Sequence, residues 1–325
     1  MNGNARRRLT APTLAMLPRV ADSLSFLYAE AVRIVQDDTG VCARIESPRG
    51  ADRISIPTAA LSCVLLGPGT SITQAAMATF ARHGTTLVCV GAGGVRSYAG
   101  IMPAALTTVW LEKQVRAWSS DDSRLGVAVR MYERRFGSAP AGATLAQLRG
   151  FEGQRIKALY KLLATKYQVK RFRRNYDPEA WDDQDPINKA LSAANACMYG
   201  VVHAAVLALG CSPALGFIHS GTQLAFVYDI ADLYKARVTI PLAFSLHASP
   251  DPEREARRQL RDNFRAYKLM PQIVNDIQHV LDPDAAGSVG DRTSDLLHLW
   301  DPTAGPLPAG VNYGFEADIV DPESE

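Results

Sequence analysis

Apolar and polar residues alternate through most of residues 23–98, and this period of two is typical of half-buried β-strands. The clearest case is a pair of runs at residues 31–35 and 41–45, which Asp37 to Gly40 separate as a hairpin turn. A β-rich region therefore opens the chain. Further short strands are predicted at residues 53–56, 62–66, 86–90 and 95–99.

One helix interrupts this β pattern. Its apolar positions span residues 72–83, Ser71 or Thr70 can cap its N-terminus, and Gly84 supplies the C-terminal stop. The glycines at positions 91, 93 and 94 follow a predicted strand, but their spacing differs from that of a dinucleotide-binding loop and another strand comes next. We therefore interpret them as a hairpin turn.

Beyond Pro103 the hydrophobic period changes to 3.6, which predicts amphipathic helices. The sequence thus indicates an α+β protein with a β-rich N-terminal domain at residues 1–102 and an all-α domain at residues 103–281. Residues 282–325 are rich in proline, glycine and acids, so we expect a flexible tail there. The helices are expected at residues 107–118, 123–136, 144–168, 187–209, 223–235, 253–267 and 271–281.

Charge is unevenly distributed along the chain, although its total over 325 residues is only +2. Residues 281–325 carry ten acids and one base, a formal charge of −9. Residues 1–280 carry the other 34 bases and 23 acids, a formal charge of +11. A cationic body with an acidic tail favours a polyanionic partner without naming one.

Cysteine usage and hydropathy indicate the compartment. The five cysteines are scattered and odd in number, which gives neither a zinc-site spacing nor a disulfide framework. No run of 18 residues is free of polar groups, and the arginines at positions 6 to 8 are not followed by the apolar stretch of a signal peptide. We therefore expect a cytoplasmic protein without a membrane partner.

Candidate chemistry concentrates in residues 216–235, GFIHSGTQLAFVYDIADLYK. Asp229 and Asp232 lie three apart on an apolar helix, so their carboxylates share one face, and His219 lies in the loop before it. Buried carboxylates need a cation, hydrogen bonds or water. For any one of these residues a cap, a salt bridge or a packed imidazole is the commoner explanation. As a group they favour a divalent metal site, with Mg²⁺, Mn²⁺ and zinc all open.

A further ligand must come from another part of the chain. Glu152 lies in LRGFEGQR, residues 148–155, between Gly150 and Gly153. Paired glycines weaken a helix unless something approaches its backbone closely. Taken alone, Glu152 is one candidate among several, because exposed helical glutamates are common.

Four segments in a fixed order resemble the CRISPR-associated integrase family, the catalytic subunit of the spacer-acquisition complex. They are LRGFEGQR, YDPEAW at residues 176–181, INKALSAANACMYGVVHAAVLALG at residues 187–210, and GFIHSGTQLAFVYDIADLYK. The last segment is similar to the type I-E branch. The resemblance implies a sandwich-like N-terminal domain, a helical catalytic domain and a homodimer. It further implies a heterohexamer with a small ferredoxin-like CRISPR-associated partner subunit.

The resemblance also implies a metal-dependent DNA integrase and endonuclease. Glu152, His219 and Asp232 would bind Mg²⁺ or Mn²⁺, and Asp229 would support them or add a second ligand. The DNA partners would be a protospacer duplex and the CRISPR repeat. The duplex 3′-OH would attack a repeat phosphodiester, and the cation would stabilise the charge that develops on the phosphate.

Nine positions are predicted to contact DNA, partly from the resemblance and partly from basic residues at helical spacing. Tyr28 resembles an aromatic wedge that stacks on the duplex end, with a core strand tyrosine as the alternative. The arginines near position 257 can instead pair with Glu253 and Glu255 within their helix. The predicted residues are Tyr28, Arg96, Arg155, Lys157, Tyr176, Tyr199, Lys235, Arg254 and Arg257.

Two other functions stay open at this point. The same ligands would serve a stand-alone metal-dependent nuclease that acts on branched DNA or RNA. Alternatively, the acids only structure the core of a non-catalytic nucleic-acid-binding scaffold. Some relatives also carry arginines where this chain has Ser71 and Ala78, so the resemblance does not carry a DNA contact over to that helix.

Overall fold

The computed structural model describes most of the chain and has a β-rich N-terminal part followed by a helical part. This is the predicted α+β order. The described residues are 13–16, 26–47, 50–94, 96–104, 106–170, 172–175, 184–262, 265–285, 297–301 and 305–310.

The first N-terminal sheet has five strands. They are β1 (Thr13–Met16), β2 (Phe26–Glu30), β6 (Cys63–Leu66), β8 (Thr86–Val90) and β9 (Ser97–Ile101). Their order is β1-β2-β6-β8-β9. The three central strands run parallel, and the two edge strands pair antiparallel to their neighbours. The glycine turn between β8 and β9 confirms the predicted hairpin, and Gly93 and Gly94 adopt the positive φ angles that it requires.

The second sheet contains the predicted N-terminal hairpin. Its strands are β3 (Arg33–Asp37), β4 (Gly40–Ser47), β5 (Gly50–Ser55) and β7 (Ser71–Ile72), in the order β5-β4-β3-β7. Asp37 faces Gly40 across the tight turn. The Arg53 guanidinium and the amide and hydroxyl of Thr39 donate hydrogen bonds to the Asp37 carboxylate. These contacts hold the pKa of Asp37 well below its usual value.

The two sheets share one apolar cluster. Leu27, Val64 and Leu87 from the first sheet are buried with Ile34 and Ala43 from the second. Inward-facing residues of two sheets that meet in this way form the core of a sandwich. The sandwich-like N-terminal region implied by the resemblance is therefore present.

The start of the first helix differs from the prediction. Helix α1 (Gln74–Arg82) is capped by Thr73, whose hydroxyl accepts a hydrogen bond from the Ala76 amide. Ser71 was a predicted cap, but it pairs with β3 together with Ile72. The cap prediction was wrong because these residues extend a sheet before the helix begins.

The predicted strand at residues 31–35 overlaps β3, which begins at Arg33, whereas β2 was not predicted. The two strands are separated at Ala31, a residue with a φ angle of 55°. The Ala31 amide donates a hydrogen bond to the carbonyl of Pro68 at the bend. β2 and β3 consequently belong to different sheets.

All seven predicted helices of the C-terminal part are present. An eighth, α7, was not predicted because its seven residues are too short for a clear helical period. Pro271, the predicted start of the last helix, lies inside that helix. The helices are α2 (Val109–Trp118), α3 (Asp121–Phe136), α4 (Leu145–Lys166), α5 (Pro186–Ala208), α6 (Ala225–Lys235), α7 (Thr239–Ser245), α8 (Pro252–Asp262) and α9 (Arg265–Leu281).

Helix α5 forms the centre of the largest core. Val201 and Val202 of α5 are buried in one cluster with Phe26 and Val88 of the first sheet and Ile230 of α6. By length and composition α5 is apolar enough to cross a membrane, but 72% of its most apolar window is buried inside the protein. We therefore interpret α5 as the core helix that packs the helical part onto the sheet.

The acidic C-terminal segment contains one described element beyond the end of α9 and its following turn. Strands β10 (Leu297–Asp301) and β11 (Gly305–Gly310) form an antiparallel hairpin, which the sequence pattern did not predict. The remainder of the predicted flexible tail lies outside the described residues, so its flexibility stays a prediction.

Candidate functional site

Asp229 of α6 organises the loop that precedes its own helix. The carboxylate is buried, and Oδ2 accepts hydrogen bonds from the backbone amides of Phe217 at 2.6 Å and Ile218 at 3.0 Å. Oδ1 accepts from the His219 amide at 2.9 Å and lies 2.7 Å from His219 Nδ1. The backbone of three successive residues and one imidazole are therefore fixed by a single carboxylate. Asp229 thus holds the loop that carries His219, while its predicted role at a metal site stays a prediction.

The contact with Asp229 sets the chemistry of His219. The hydrogen bond that His219 Nδ1 donates to the Asp229 carboxylate raises the pKa of the imidazole, although partial burial opposes this shift. Because Nδ1 faces the carboxylate, Nε2 is the ring nitrogen left for a ligand. The ring also packs edge-on against Tyr228, with centroids 5.8 Å apart. A carboxylate that orients an imidazole in this way is the usual support of a metal-binding or proton-transferring histidine.

Helix α2 fastens the other end of the same loop. The Gln114 side chain, which is fully buried, donates to the carbonyls of Ser212 and Leu215 and accepts from the Ser212 amide. Trp118 Nε1 donates to the carbonyl of Gly216 at 3.1 Å. A Cβ at Gly216 would lie 2.5 Å from a backbone carbonyl oxygen. The loop that carries the histidine is therefore closely packed and held by several hydrogen bonds.

Two of the predicted ligands line one pocket between α3, α4 and α6. Glu152 extends from α4 and Asp232 from α6, and buried apolar side chains such as Met131 and Leu148 form the wall. Asp229 and Ile218 also line this pocket, whereas His219 does not appear on its wall. The fold thus brings together carboxylates that are 80 positions apart in sequence and places the histidine loop beside them.

The carboxylates of Glu152 and Asp232 each lie close to positively charged side chains. Arg135 Nη1 lies 2.5 Å from Glu152 Oε1 and 4.0 Å from Asp232 Oδ2. Lys235 Nζ lies 2.5 Å from Asp232 Oδ1. Burial alone would lower the pKa of Lys235, but the nearby Asp232 carboxylate and Tyr199 outweigh it and raise this pKa. Lys235 was predicted as a DNA contact, and in this structure it pairs with a site carboxylate.

The donor types fit a hard divalent cation, but their arrangement does not. Carboxylate oxygens and one imidazole suit Mn²⁺ or Mg²⁺. Among the residues that the structure describes, however, no three His, Cys, Asp or Glu side chains lie close enough together to hold a metal ion. Glu152 and Asp232 are ion-paired instead. The ligand set of Glu152, His219 and Asp232 accordingly stays a prediction.

The predicted aromatic DNA contacts have different environments. Tyr28 is only 3% exposed, belongs to the large core and accepts a hydrogen bond from the Gly93 amide, so in this structure its ring is not accessible for stacking on a duplex end. Tyr28 is therefore a core strand tyrosine, which was the alternative interpretation. Tyr199 is partly exposed and packs edge-on against Tyr228, near the Lys235 ammonium. Tyr176 lies outside the described residues.

The predicted basic contacts divide into exposed and engaged side chains. Arg96, Lys157 and Arg254 are exposed and available to a polyanion. Arg155 is also exposed, but its guanidinium lies 4.7 Å from the Phe136 ring centroid and fastens α4 to α3. Arg257 forms an ion pair with Glu253 one helical turn away, as the alternative for this helix proposed.

Sequence reasoning missed three residues that shape the site. Arg135, Gln114 and Arg149, whose guanidinium donates to the Ile218 carbonyl, all act across segments distant in sequence. Arg135 follows another arginine near the end of a helix, where basic residues usually complement the helix dipole. The sequence pattern contains no further signal for these residues.

Comparisons with known proteins agree with this fold. A family model described as CRISPR associated protein Cas1 matches residues 129–255. CRISPR-associated endonuclease Cas1 of Clostridium sp. SY8519 is 38% identical over 306 residues, which cover 92% of this chain and 99% of that protein. The Escherichia coli K12 protein of the same name is 44% identical over 240 residues, covering 73% of this chain and 78% of that protein.

The fold is shared with a relative of solved structure. The crystal structure of the TtCas1–DNA complex matches with a TM-score of 0.73 and 38% identity, and the match covers 82% of this chain and 99% of that one. The matched residues 129–255 include Glu152, His219 and Asp232. The chain belongs to the Cas1 family of CRISPR-associated proteins.

Proposed function

We propose that this protein is a metal-dependent DNA endonuclease and integrase that inserts captured DNA fragments into a CRISPR array. The observation that carries the proposal is the pocket in which Glu152 and Asp232 converge beside a loop that Asp229 fixes around His219. Membership of the Cas1 family, with relatives named as endonucleases, supports a nuclease. A relative solved as a DNA complex supports DNA as the substrate.

The reaction is a transesterification at phosphorus. The 3′-OH of the captured fragment attacks a repeat phosphodiester, a new P–O bond forms and the bond to the leaving 3′ oxygen breaks. The attacking hydroxyl loses its proton to solvent and the leaving 3′ oxygen takes one up, so no net proton is released. When bound, a divalent cation supplies Lewis-acid stabilisation of the charge that develops on the phosphate. Glu152, His219 and Asp232 would hold it. Because Nδ1 of His219 faces the Asp229 carboxylate, Nε2 of His219 points away from that carboxylate.

We further propose the assembly that the sequence resemblance implies. A homodimer of the type I-E branch would bind a small ferredoxin-like CRISPR-associated partner in a heterohexamer, together with a protospacer duplex and the CRISPR repeat, in the cytoplasm. The 44% identity with the Escherichia coli relative supports close similarity to that protein. The exposed side chains of Arg96, Lys157 and Arg254 are consistent with a phosphate-binding surface.

The first experiment tests the site. Joining of a short duplex to supercoiled repeat DNA is measured with Mg²⁺ or Mn²⁺, with and without the partner subunit. We expect Asp232→Asn, Glu152→Gln and His219→Asn each to lower the rate at least about 100-fold, because each removes charge stabilisation in the transition state. Glu112→Gln and His247→Asn, which change the same residue types at positions outside the pocket, are the matched controls.

Each outcome separates the candidate functions. Full joining activity in Asp232→Asn and His219→Asn would contradict the site assignment. Cleavage of branched DNA without joining, whether or not the partner is present, would favour the stand-alone nuclease. Binding of DNA without either reaction would favour a non-catalytic scaffold, which is the second class of function compatible with an ion-paired pocket.

A further inference from the structure

The outer face of α4 exposes apolar side chains to solvent. Its inner face packs on the protein through Leu148 and Ile156. On the outer face, Phe151 is 37% exposed and Leu162 66% exposed, and Ala158 between them is exposed as well. These three residues, which we call the outer stripe, follow each other at seven and four positions and so lie along one side of the helix. Exposed apolar surface with a polar rim is typical of a site that binds another chain or segment.

Basic side chains flank the outer stripe. The helix carries five bases and a single acid, Glu152, which pairs with Arg135 on the inner side. Lys157 and Lys161 lie one turn apart beside the stripe and are exposed, and neither belongs to an ion pair among the residues that the structure describes. Two like charges at this spacing repel each other within a helix. An anionic partner would relieve this repulsion.

A partner that is both acidic and apolar matches this face. A nucleic-acid backbone would satisfy the lysines, but it offers no apolar surface to cover the outer stripe. Residues 311–325 of this chain, VNYGFEADIVDPESE, contain five acids and no base. Apolar and acidic residues alternate from Phe315 to Ile319. The C-terminal segment therefore complements the outer face of α4 in charge and in apolar character.

The chain is long enough to bring this segment to α4. Helix α9, which precedes it, approaches α4 through α3, because Asp276 of α9 pairs with Arg134. The next residue, Arg135, contacts Glu152 of α4. Residues 286–296 alone extend up to about 35 Å, which exceeds the roughly 20 Å between the first and third of three packed helices. A tethered segment also has a high effective concentration, so weak contacts are sufficient to hold it.

We propose that residues 311–325 dock on the outer face of α4 of the same chain, with their apolar side chains on the outer stripe and their acids beside Lys157 and Lys161. The segment itself lies outside the described residues. Docking requires neither a bound metal nor the proposed reaction. One consequence does rest on the proposed function. Lys157 is a predicted DNA contact, so the docked segment and DNA would exclude each other at this position.

Photo-crosslinking in the full chain tests the docking directly. Benzoylphenylalanine replaces Phe315, and mass spectrometry maps the crosslinked peptides. We expect the main crosslink to join this position to residues 145–166 within one chain. Leu162→Asp should lower the crosslink yield at least about 5-fold, because it places a charge of the same sign as the segment on the outer stripe. The double variant Lys157→Gln and Lys161→Gln should lower the yield as well, since it removes the attracting charges.

A matched variant on another helix controls for the change of charge. Val115→Asp introduces an aspartate at an apolar position of α2 that is 46% exposed, and it should leave the yield unchanged. An unchanged yield in Leu162→Asp would overturn the proposal. Crosslinks to other parts of the chain, or between two copies at twice the monomer mass, would also overturn docking on the chain's own α4.

Affinity for a fluorescein-labelled DNA duplex at low salt tests the competition. The variant with a neutral segment carries Glu316→Gln, Asp318→Asn and Asp321→Asn. It should bind the duplex at least about 3-fold more tightly, because the segment no longer shields the lysines of α4. The gain should disappear when Lys157→Gln and Lys161→Gln are added, since the two changes act on one contact.

The control for this measurement removes the same charge nearer to α9. It carries Asp284→Asn, Asp291→Asn and Asp295→Asn. We expect it to change the affinity by less than half as much as the neutral segment does. An equal gain in both variants would show a general charge effect and overturn the competition at α4.

The two measurements keep the proposals apart. If the protein binds no duplex, the DNA-binding part of the proposed function fails, and the crosslinks still decide whether the segment docks on α4. If the duplex binds but no crosslink reaches α4, DNA binding stands and the docking is rejected.

Discussion

Helices α4 and α5 are almost equal in length, with 22 and 23 residues, but opposite in environment. Most of α5 is buried against the first sheet and α6, whereas α4 buries two residues along its entire length. Apolar packing therefore determines the position of α5. Around Glu152, α4 is held by the packing of Leu148 and Ile156 together with the contacts of Arg135 and Arg155.

The difference shows how the protein separates stability from chemistry. A core helix resists change on every face because each side chain has close neighbours. A helix with few buried side chains, held in part by one ion pair and the ring contacts of an arginine, can carry a charged side chain at the edge of a pocket. We expect substitutions in α5 to change mainly the free energy of unfolding and substitutions in α4 to change mainly the site.

The largest effect is expected from truncating a buried leucine. Leu191 of α5 is 2% exposed and Leu162 of α4 is 66% exposed. Leu191→Ala should lower the free energy of unfolding by about 2–5 kcal/mol, because it leaves a cavity, and Leu162→Ala should change it by less than about 0.5 kcal/mol. Urea denaturation at one fixed protein concentration measures both. Similar losses in the two variants would contradict the contrast between the helices.

The next largest effect is expected from substituting two helical glycines, which should change the free energy of unfolding in opposite directions. A Cβ at Gly200 of α5 would lie 2.4 Å from the Arg96 backbone nitrogen, whereas one at Gly153 of α4 meets no atom within 4 Å. Gly200→Ala should destabilise the protein by about 1–3 kcal/mol through overpacking. Gly153→Ala should stabilise it by about 0.5–1 kcal/mol, because alanine is the better helix former.

Thermal unfolding compares the two alanine variants directly. A stabilising Gly200→Ala would show that α5 can move away from the sheet without cost. A destabilising Gly153→Ala would show that another chain or segment packs on this face of α4 in solution.

The smallest effect concerns His219 in the loop between α5 and α6, and it is read by NMR titration. The Asp229 hydrogen bond raises the pKa of His219 above its ordinary value of 6.5, so Asp229→Asn should lower the titration midpoint of this imidazole. A raised folded-state pKa contributes stability below pH 6.5, and this contribution is lost as the pH rises through the folded value. An unchanged midpoint would show that the His219 imidazole does not bind Asp229 in solution.

Local sequence patterns were sufficient for much of this protein. Strand alternation and the turn residues predicted the β3–β4 hairpin, and the 3.6-residue period predicted seven of the helices. Patterns failed where pairing across the chain decided the outcome. Ser71 joins a sheet and does not cap α1, and α7 is too short for its period to be recognised. The resemblance predicted Tyr28 as a stacking wedge, with a core strand tyrosine as the alternative, and its burial in one cluster with residues of α5 and α6 decides for the core.

The candidate site divides in the same way. The sequence by itself determined the residue types and their helical faces, because a carboxylate pair three apart on an apolar helix can be recognised within one element. Only the tertiary structure decided that Asp229 turns inward to hold the His219 loop, while Asp232 lies near Arg135 and shares the pocket with Glu152. The physical reason is that charge pairing and burial are set by neighbours in space, and these neighbours come from α3, α4 and α6.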